Sequence, residues 1–388
     1  MTVLYIILAL FLFGVLIFVH ELGHYIAARI CKVKVLEFAI GMGPKLIKWQ
    51  SKKTGTKYSL RLLPVGGFCS MKGEGEYDNP DEKSKESTGS DDSSDNIDDD
   101  NATDSYRNKP AWMKMIILAA GAFMNIIVGF LMTFALVLGS RQNGEIVLAS
   151  NTVAKFTDHA ISAETGLEVG DKIVKVGNVS VHTGTELAYE ITNQGKETED
   201  YFQYAGADSE VLRKVVSLDL TVIRDGEKIK LEGVKFLAEE TQGSVFGSTD
   251  FYALREKTTF GSVMKHVWFR SLSSIKMVWD SLIGLLTGRF SLSSVSGPVG
   301  TTQVITQAAS MGWYTLIYIF VVIAMNLGVF NLLPFLPLDG GHIVFAFYEL
   351  IARKPAPKKF METCQIIGIL LMFGLMIVVT VKDIINLF

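Results

Sequence analysis

The sequence predicts a polytopic α-helical membrane protein with four transmembrane helices, a re-entrant β-hairpin segment and a β-rich domain outside the cytoplasm. Hydrophobic residues make up 49% of the 388 positions and the mean hydropathy is +0.30, which together favour a membrane protein. In addition, the long apolar runs are interrupted by one polar segment, residues 143 to 240, in which strand patterns alternate with turn residues.

Charge and cysteine content say little about partners. The formal net charge of −3 averages an acidic tract with several basic flanks, so it indicates no partner by itself. From the apolar composition we expect a lipid bilayer around the chain, and we expect no nucleic acid as a partner. The three cysteines, Cys31, Cys69 and Cys364, are widely spaced. They match neither a disulfide framework nor a zinc-ligand spacing, and we interpret them as unreactive thiols.

Residues 1 to 30 predict the first transmembrane helix. The chain is apolar from Val3 to Val19 and has neither the positive start nor the small-residue cleavage site of a secretory signal. About 20 residues suffice to cross the hydrocarbon core, so we expect this stretch to be kept as a membrane span. The stretch His20-Glu21-Leu22-Gly23-His24 lies in its second half.

The residues from His20 to His24 have the pattern of a zinc site. Histidines at this spacing lie on one face of a helix, so both imidazoles can bind one metal ion. Glu21 can then take a proton from a zinc-activated water, which is the chemistry of peptide hydrolysis. The alternative is an interfacial helix end with solvated histidines. Ionisable groups clustered in one turn at membrane depth favour a metal or an aqueous cavity.

Residues 31 to 75 predict a re-entrant β segment on the cytoplasmic side. Short apolar runs alternate with glycine and proline, in Gly41 to Pro44 and in Pro64 to Phe68, which is typical of strands joined by turns. Such strands could line a membrane active site and pair with an extended substrate. A small surface hairpin without a catalytic role is an equal alternative. Residues 76 to 108 are acidic and polar, and they predict a disordered loop instead of a calcium site.

Residues 109 to 140 predict the second transmembrane helix. Asn125 in its interior indicates either an interhelical hydrogen bond or a side chain that faces the zinc cavity. Basic residues at both ends of the connection between the first two spans place that connection in the cytoplasm and the N-terminus outside. These residues are Arg29, Lys32, Lys34, Arg107, Lys109 and Lys114.

Residues 143 to 240 predict a compact β-rich domain, which the same topology places outside the cytoplasm. Gly166 to Gly177 is typical of a turn followed by an alternating strand, and Leu218 to Leu231 of a hairpin closed by Asp225-Gly226. Residues 256 to 300 carry apolar side chains at helical spacing among lysines and arginines, which favours amphipathic helices on the membrane surface. We interpret His266 as an interfacial residue and not a ligand.

Residues 312 to 345 predict the third transmembrane helix, and residues 362 to 388 predict the fourth. Pro334 and Pro337 break the third helix where it should leave the membrane, and Asp339 follows directly. A catalytic zinc needs three protein ligands and an open position, and Asp339 is the favoured third ligand. The weaker candidates are His159 and His182 in the β-rich domain and His342 beside Asp339.

With His20 to His24 on the first span and Asn331 to Gly341 at the end of the third, the chain resembles bacterial site-2 proteases of the regulator-of-sigma-E protease type. The similarity covers nearly the whole length. It includes Gly41 to Pro44, Pro64 to Phe68, Ser296 to Gly300 and a single PDZ-like domain around Gly166 to Val176. The acidic stretch from Glu76 to Asp104 is longer than expected for the family, and we interpret it as a neutral insertion.

The resemblance implies an intramembrane zinc metalloendopeptidase in the inner (cytoplasmic) membrane. It implies that His20, His24 and Asp339 bind Zn²⁺, that Glu21 is the catalytic base, and that Asn331 lies near the scissile peptide. Substrates would be single-pass transmembrane proteins already trimmed by an upstream site-1-type protease, such as an anti-sigma factor or a remnant signal peptide. The active site would face the cytoplasm, and the PDZ-like domain would act outside as a size filter or docking site.

Two other function classes fit parts of the sequence. A catalytically silent membrane scaffold would bind peptides through the PDZ-like domain, but it would need no base at Glu21. A metal transporter would use the same ligands transiently. Transporters commonly have repeated broken-helix halves, and this sequence shows no such internal symmetry.

Overall fold

The structure is a computed structural model that describes residues 2–74, 103–142, 144–158, 160–203, 212–241, 244–290 and 295–385. Most of the predicted disordered loop lies outside these residues, as does His159. The helices are α1 (Thr2–Ile30), α2 (Ala111–Gly139), α3 (Ile161–Glu164), α4 (Gly184–Gln194), α5 (Phe260–Leu286), α6 (Pro298–Ser310), α7 (Trp313–Asn331), α8 (Asp339–Ala352) and α9 (Lys358–Ile385). The strands are β1 (Val35–Gln50), β2 (Lys57–Met71), β3 (Arg141–Gln142), β4 (Glu145–Ile146), β5 (Ala149–Phe156), β6 (Lys172–Val176), β7 (Val179–Ser180), β8 (Lys196–Gln203), β9 (Leu212–Arg224), β10 (Glu227–Thr241), β11 (Ser244–Gly247) and β12 (Phe251–Arg255).

The prediction of four apolar helices is confirmed. In the described part of the chain, α1 (from Ile7), α2, α7 and α9 are long and apolar enough to cross a membrane. Only 11 to 33% of each apolar window is buried inside the protein, so most of these side chains need a lipid environment. The third span ends at Asn331, and α8 begins as a separate helix at Asp339, because Pro334 and Pro337 prevent a continuous helix through residue 345.

The chain divides into two compact units, of which the first comprises residues 1–128, 297–310 and 323–388. Its β1 and β2 form an antiparallel sheet that runs from Val35 opposite Met71 to Gln50 opposite Lys57. Strand β1 bends at Gly41 and Gly43, whose φ angles of 85° and 86° favour glycine. The sheet packs on α1 through a buried cluster of Ala27, Ala28, Cys31, Val33, Val35, Phe38, Cys69, Met71 and Ile117.

The second unit comprises residues 129–296 and 311–322. Its main sheet has the strand order β11-β10-β9-β6-β5-β12, with β7 paired to β6 and β8 paired to β9. The predicted hairpin is present, because Arg224 pairs with Glu227 across Asp225 and Gly226, both with positive φ as in a type I′ turn. The sheet extends past the predicted boundary at residue 240, since β12 pairs with β5.

Helix α5 of the second unit is amphipathic along its 27 residues. One face is apolar and exposed, and it consists of Trp268, Leu272, Trp279, Ile283 and Leu286. On another face, Asp280 accepts hydrogen bonds from Tyr189 and Asn193 of α4 at 2.6 and 2.8 Å. The prediction of an interfacial His266 is wrong: its side chain is buried, and Nε2 lies 3.1 Å from Glu256 Oε2.

Candidate metal centre

Helix α1 presents both predicted histidine ligands on one face. His20 Nε2 and His24 Nε2 lie 3.2 Å apart, as expected for positions one helical turn apart. Helix α1 can approach α2 closely here because residue 23 is glycine, where a Cβ atom would lie 2.4 Å from the Ala120 carbonyl oxygen. The close crossing brings α2 against both imidazoles.

Asp339 reaches the histidines because the chain turns tightly between α7 and α8. A Cβ atom at Gly340 would lie 2.1 Å from the Leu333 carbonyl oxygen, and one at Gly341 would lie 2.7 Å from the Leu336 nitrogen. Only glycine leaves room for the first turn of α8 at these two positions. Asp339 is the first residue of α8, where the helix dipole favours a carboxylate.

The donor atoms form a small triangle. Asp339 Oδ2 lies 3.1 Å from His20 Nε2 and 3.4 Å from His24 Nε2. Four ligands placed tetrahedrally about 2.0 to 2.1 Å from a zinc ion are about 3.3 Å from one another, so the triangle has the size of one face of a zinc site. Asp339 Oδ2 is buried and makes no hydrogen bond to any described residue. Two imidazoles with one carboxylate therefore fit a zinc ion.

Helix α2 contacts the outer nitrogen of each imidazole. His24 Nδ1 lies 2.8 Å from the Ile117 carbonyl oxygen, so Nδ1 carries the proton and Nε2 is free to bind a metal. His20 Nδ1 lies 3.4 Å from Asn125 Nδ2 and 3.4 Å from Asn331 Nδ2. Asn125 Oδ1 is buried without a partner in the described residues. Rotating the Asn125 amide by half a turn places its Oδ1 against a protonated His20 Nδ1, so that each of these two atoms gains a hydrogen-bond partner.

Gly121 and Asn125 are contacts that the sequence only partly indicates. Asn125 of α2 contacts His20 of α1, so the amide makes an interhelical contact and makes it at the proposed metal site. Gly121 is not among the predicted site residues, yet a Cβ atom there would lie 2.4 Å from His24 Nε2 and 2.8 Å from His20 Cε1. The spacing of Gly121 and Asn125 could have indicated this contact, since a glycine one helical turn before a buried amide leaves room for a side chain on the same helix face.

Strand β2 lies beside Glu21. A Cβ atom at Gly67 would lie 3.1 Å from Glu21 Cγ. Strand β2 therefore packs against the Glu21 side chain next to the donor triangle. This arrangement suits a base that must face both a metal-activated water and a substrate on the β2 side.

A polar cavity of about 740 Å³ reaches the same site in the first unit. Asp339 and His342 line it together with Glu74, Lys114 and Glu349. It can supply the water that hydrolysis consumes. His342 lies outside the group of donor atoms within 4.8 Å of one another, and His182 stacks on Phe269 in the second unit at 4.1 Å between ring centroids. Of the candidate third ligands with described positions, Asp339 is the one that meets both histidines.

Known proteins resemble this chain over nearly its whole length. The sequence profile of peptidase family M50 matches residues 8–375. The zinc metalloprotease RasP of Shouchella clausii is 30% identical, and the matched region covers 97% of this chain and 98% of that protein. The regulator of sigma-W protease RasP of Bacillus subtilis is 28% identical and covers 97% of each chain. A relative from Clostridium perfringens with a zinc metalloprotease name is 34% identical, over 98% of this chain and 99% of its own.

Proposed function

This chain belongs to peptidase family M50 and is a membrane-embedded zinc metalloprotease, and we propose that it hydrolyses a peptide bond within or near the transmembrane segment of single-pass membrane proteins. The observation that carries the proposal is the donor triangle of His20, His24 and Asp339 on apolar, membrane-type helices, with Glu21 beside it. The name of the Bacillus relative refers to sigma-W regulation, which supports an anti-sigma factor as substrate. A remnant signal peptide is the second substrate class.

The side chains have different roles in the proposed reaction. His20, His24 and Asp339 would hold a zinc ion, which when bound would lower the pKa of water to about 7 and polarise the scissile carbonyl. Glu21 accepts the proton of the attacking water and gives it to the leaving amine. Asn331 has more hydrogen-bonding capacity than its contact with His20 uses, and we assign that capacity to the backbone of the substrate.

We further propose that the β1–β2 hairpin is re-entrant and receives the substrate as an added strand. Intact helical backbone hides its carbonyls, so the substrate must be extended at the cut site. The proximity of Gly67 to Glu21 supports this role. Exposed apolar side chains on the hairpin support its membrane location, namely Met42, Leu46, Ile47, Trp49 and Leu62.

The proposed topology follows from charge. Basic residues flank the connection between the first two spans, and others follow α8, including Arg353 and Lys354. The positive-inside rule then places the zinc site toward the cytoplasm in the inner membrane and residues 143 to 240 outside. We propose that this β-rich domain is PDZ-like and selects substrates that an upstream site-1-type protease has already trimmed.

The test compares purified wild-type protein with Glu21→Gln in lipid vesicles. Zinc content and cleavage of a single-pass reporter without its outer domain are measured for both. We expect equal zinc in both and cleavage by the wild type only, because the substituted amide would leave the ligands intact but could not take a proton. Equal cleavage by Glu21→Gln would contradict the proposal. Zinc-loaded protein that does not cleave any such reporter would favour the scaffold hypothesis.

A further inference from the structure

A partly buried ion pair links the helix that contacts both histidines to the helix that carries the aspartate. Lys114 Nζ of α2 lies 2.9 and 3.0 Å from the two carboxylate oxygens of Glu349 on α8. Lys114 is 8% exposed as a residue, and the Glu349 side chain is 26% exposed. Both line the cavity that reaches Asp339. Because the ammonium contacts both oxygens, displacement of α8 relative to α2 would lengthen at least one of these contacts.

Both helices contribute to the metal site. Helix α2 contacts His24 through Ile117 and Gly121, and it contacts His20 through Asn125. Helix α8 supplies Asp339. The geometry of the donor triangle therefore depends on how α8 is placed relative to α2.

Rotation of α8 about its own axis would move Asp339 and Glu349 together. Glu349 follows Asp339 by ten residues, which places the two side chains about 80° apart around the helix. A carboxylate about 5 Å from the axis moves by about 1 Å when the helix rotates by about 12°. Zinc sites tolerate only about 0.2 Å in ligand distance, so a rotation of that size would remove Asp339 from the site.

We propose that Lys114 and Glu349 are positioning residues for the metal site, and that their ion pair fixes the rotation of α8 so that Asp339 Oδ2 meets His20 and His24. The inference rests on the proposed function, since it takes these three side chains as the zinc ligands. The pair does not contact the reacting atoms. It acts through α8.

The experiment replaces zinc by Co²⁺ in the full-length protein and records the visible spectrum, the Co²⁺ dissociation constant, kcat and KM. For Lys114→Met we expect an altered spectrum, Co²⁺ binding weakened about 10-fold and kcat lowered about 10- to 100-fold, with KM little changed. The exchanged pair Lys114→Glu with Glu349→Lys restores all three. The apolar pair Lys114→Met with Glu349→Leu keeps the helices packed, as such replacements often do, but it does not restore the spectrum.

A purely structural role of the ion pair predicts that the apolar pair behaves like the wild type. A wild-type spectrum and kcat in the apolar pair, or no recovery in the exchanged pair, would overturn the inference. Lys230→Met, which removes an exposed lysine paired with Glu232 in the second unit, is the control and leaves every readout unchanged. His20→Ala tests the ligand assignment separately: a wild-type Co²⁺ spectrum in that variant would refute the proposed metal site whatever the Lys114 variants do.

Discussion

His20 contacts four other side chains of the site. Its Nε2 faces Asp339 and His24, while its Nδ1 lies between the amides of Asn125 and Asn331. A metal ligand with its second nitrogen fixed keeps one tautomer and one ring orientation. Residues of this kind are hard to identify from sequence, because Asn125 is 105 positions from His20 and Asn331 is 311 positions away.

Asn125→Ala tests this contact. We expect zinc affinity to fall about 10- to 100-fold, since loss of the partner of a ligating histidine has that effect in other zinc sites. Competition with a chromophoric chelator measures the affinity. Thr133→Val is the matched control, because Thr133 is buried on the same helix and its hydroxyl donates to the Gly129 carbonyl of that helix. Equal affinity in wild type and Asn125→Ala would show that the amide does not orient His20.

Gly121→Ala tests the close approach of α2. The added methyl group would lie 2.4 Å from His24 Nε2, so either the imidazole or the helix must move and we expect zinc binding to be lost. Gly374→Ala is the control, because a Cβ atom there meets nothing within 4 Å. Zinc content after gel filtration measures both. A fully loaded Gly121→Ala protein would mean that α1 and α2 cross with more room between them than these contacts require.

At the scale of elements, the sequence predicts those helices and strands that short-range sequence patterns determine. The apolar helices follow from length and hydropathy, and the β9–β10 hairpin follows from Asp225-Gly226. Helix α8 is not predicted as a separate element, because its 14 residues are too short to cross a bilayer and follow two prolines. Strand β12 has five residues, and only its pairing with β5 identifies it. The donor triangle was predicted because each half is a local motif, whereas Gly121 depends on tertiary packing.

The exposed face of α5 gives a prediction for this element. In a cysteine-free background in lipid vesicles, we expect Leu272→Cys to be protected from a water-soluble maleimide, because an exposed apolar helix face of this kind partitions into the membrane interface. Ser281→Cys, nine residues on and about 180° around the helix, should react. Both sites are exposed in the protein itself, so a difference reports the membrane. Equal labelling would place α5 in water.

At the scale of the whole molecule, the chain comprises a first unit, which contains the proposed zinc ligands, and a second unit with its own sheet and core. From the charge distribution we propose that residues 143 to 240 lie outside the cytoplasm. The acidic residues 76 to 108 carry no part of the proposed chemistry. The proposed selection of substrates by residues 143 to 240 depends on this orientation.

Labelling of intact cells tests the orientation. In a cysteine-free background, Asp225→Cys in the β9–β10 turn should react with a membrane-impermeant maleimide applied outside. Asp99→Cys in the acidic segment should react only after the membrane is permeabilised. The opposite pattern would invert the topology and place the zinc site on the outer side.

The central claim is that His20, His24 and Asp339 together hold the zinc, and zinc-edge X-ray absorption of the purified protein tests it most directly. We expect two imidazole nitrogens and further oxygen ligands at about 2.0 to 2.1 Å, with one imidazole lost in any zinc-retaining His20→Ala protein. A sulfur shell at about 2.3 Å, or an unchanged imidazole count in His20→Ala, would contradict it.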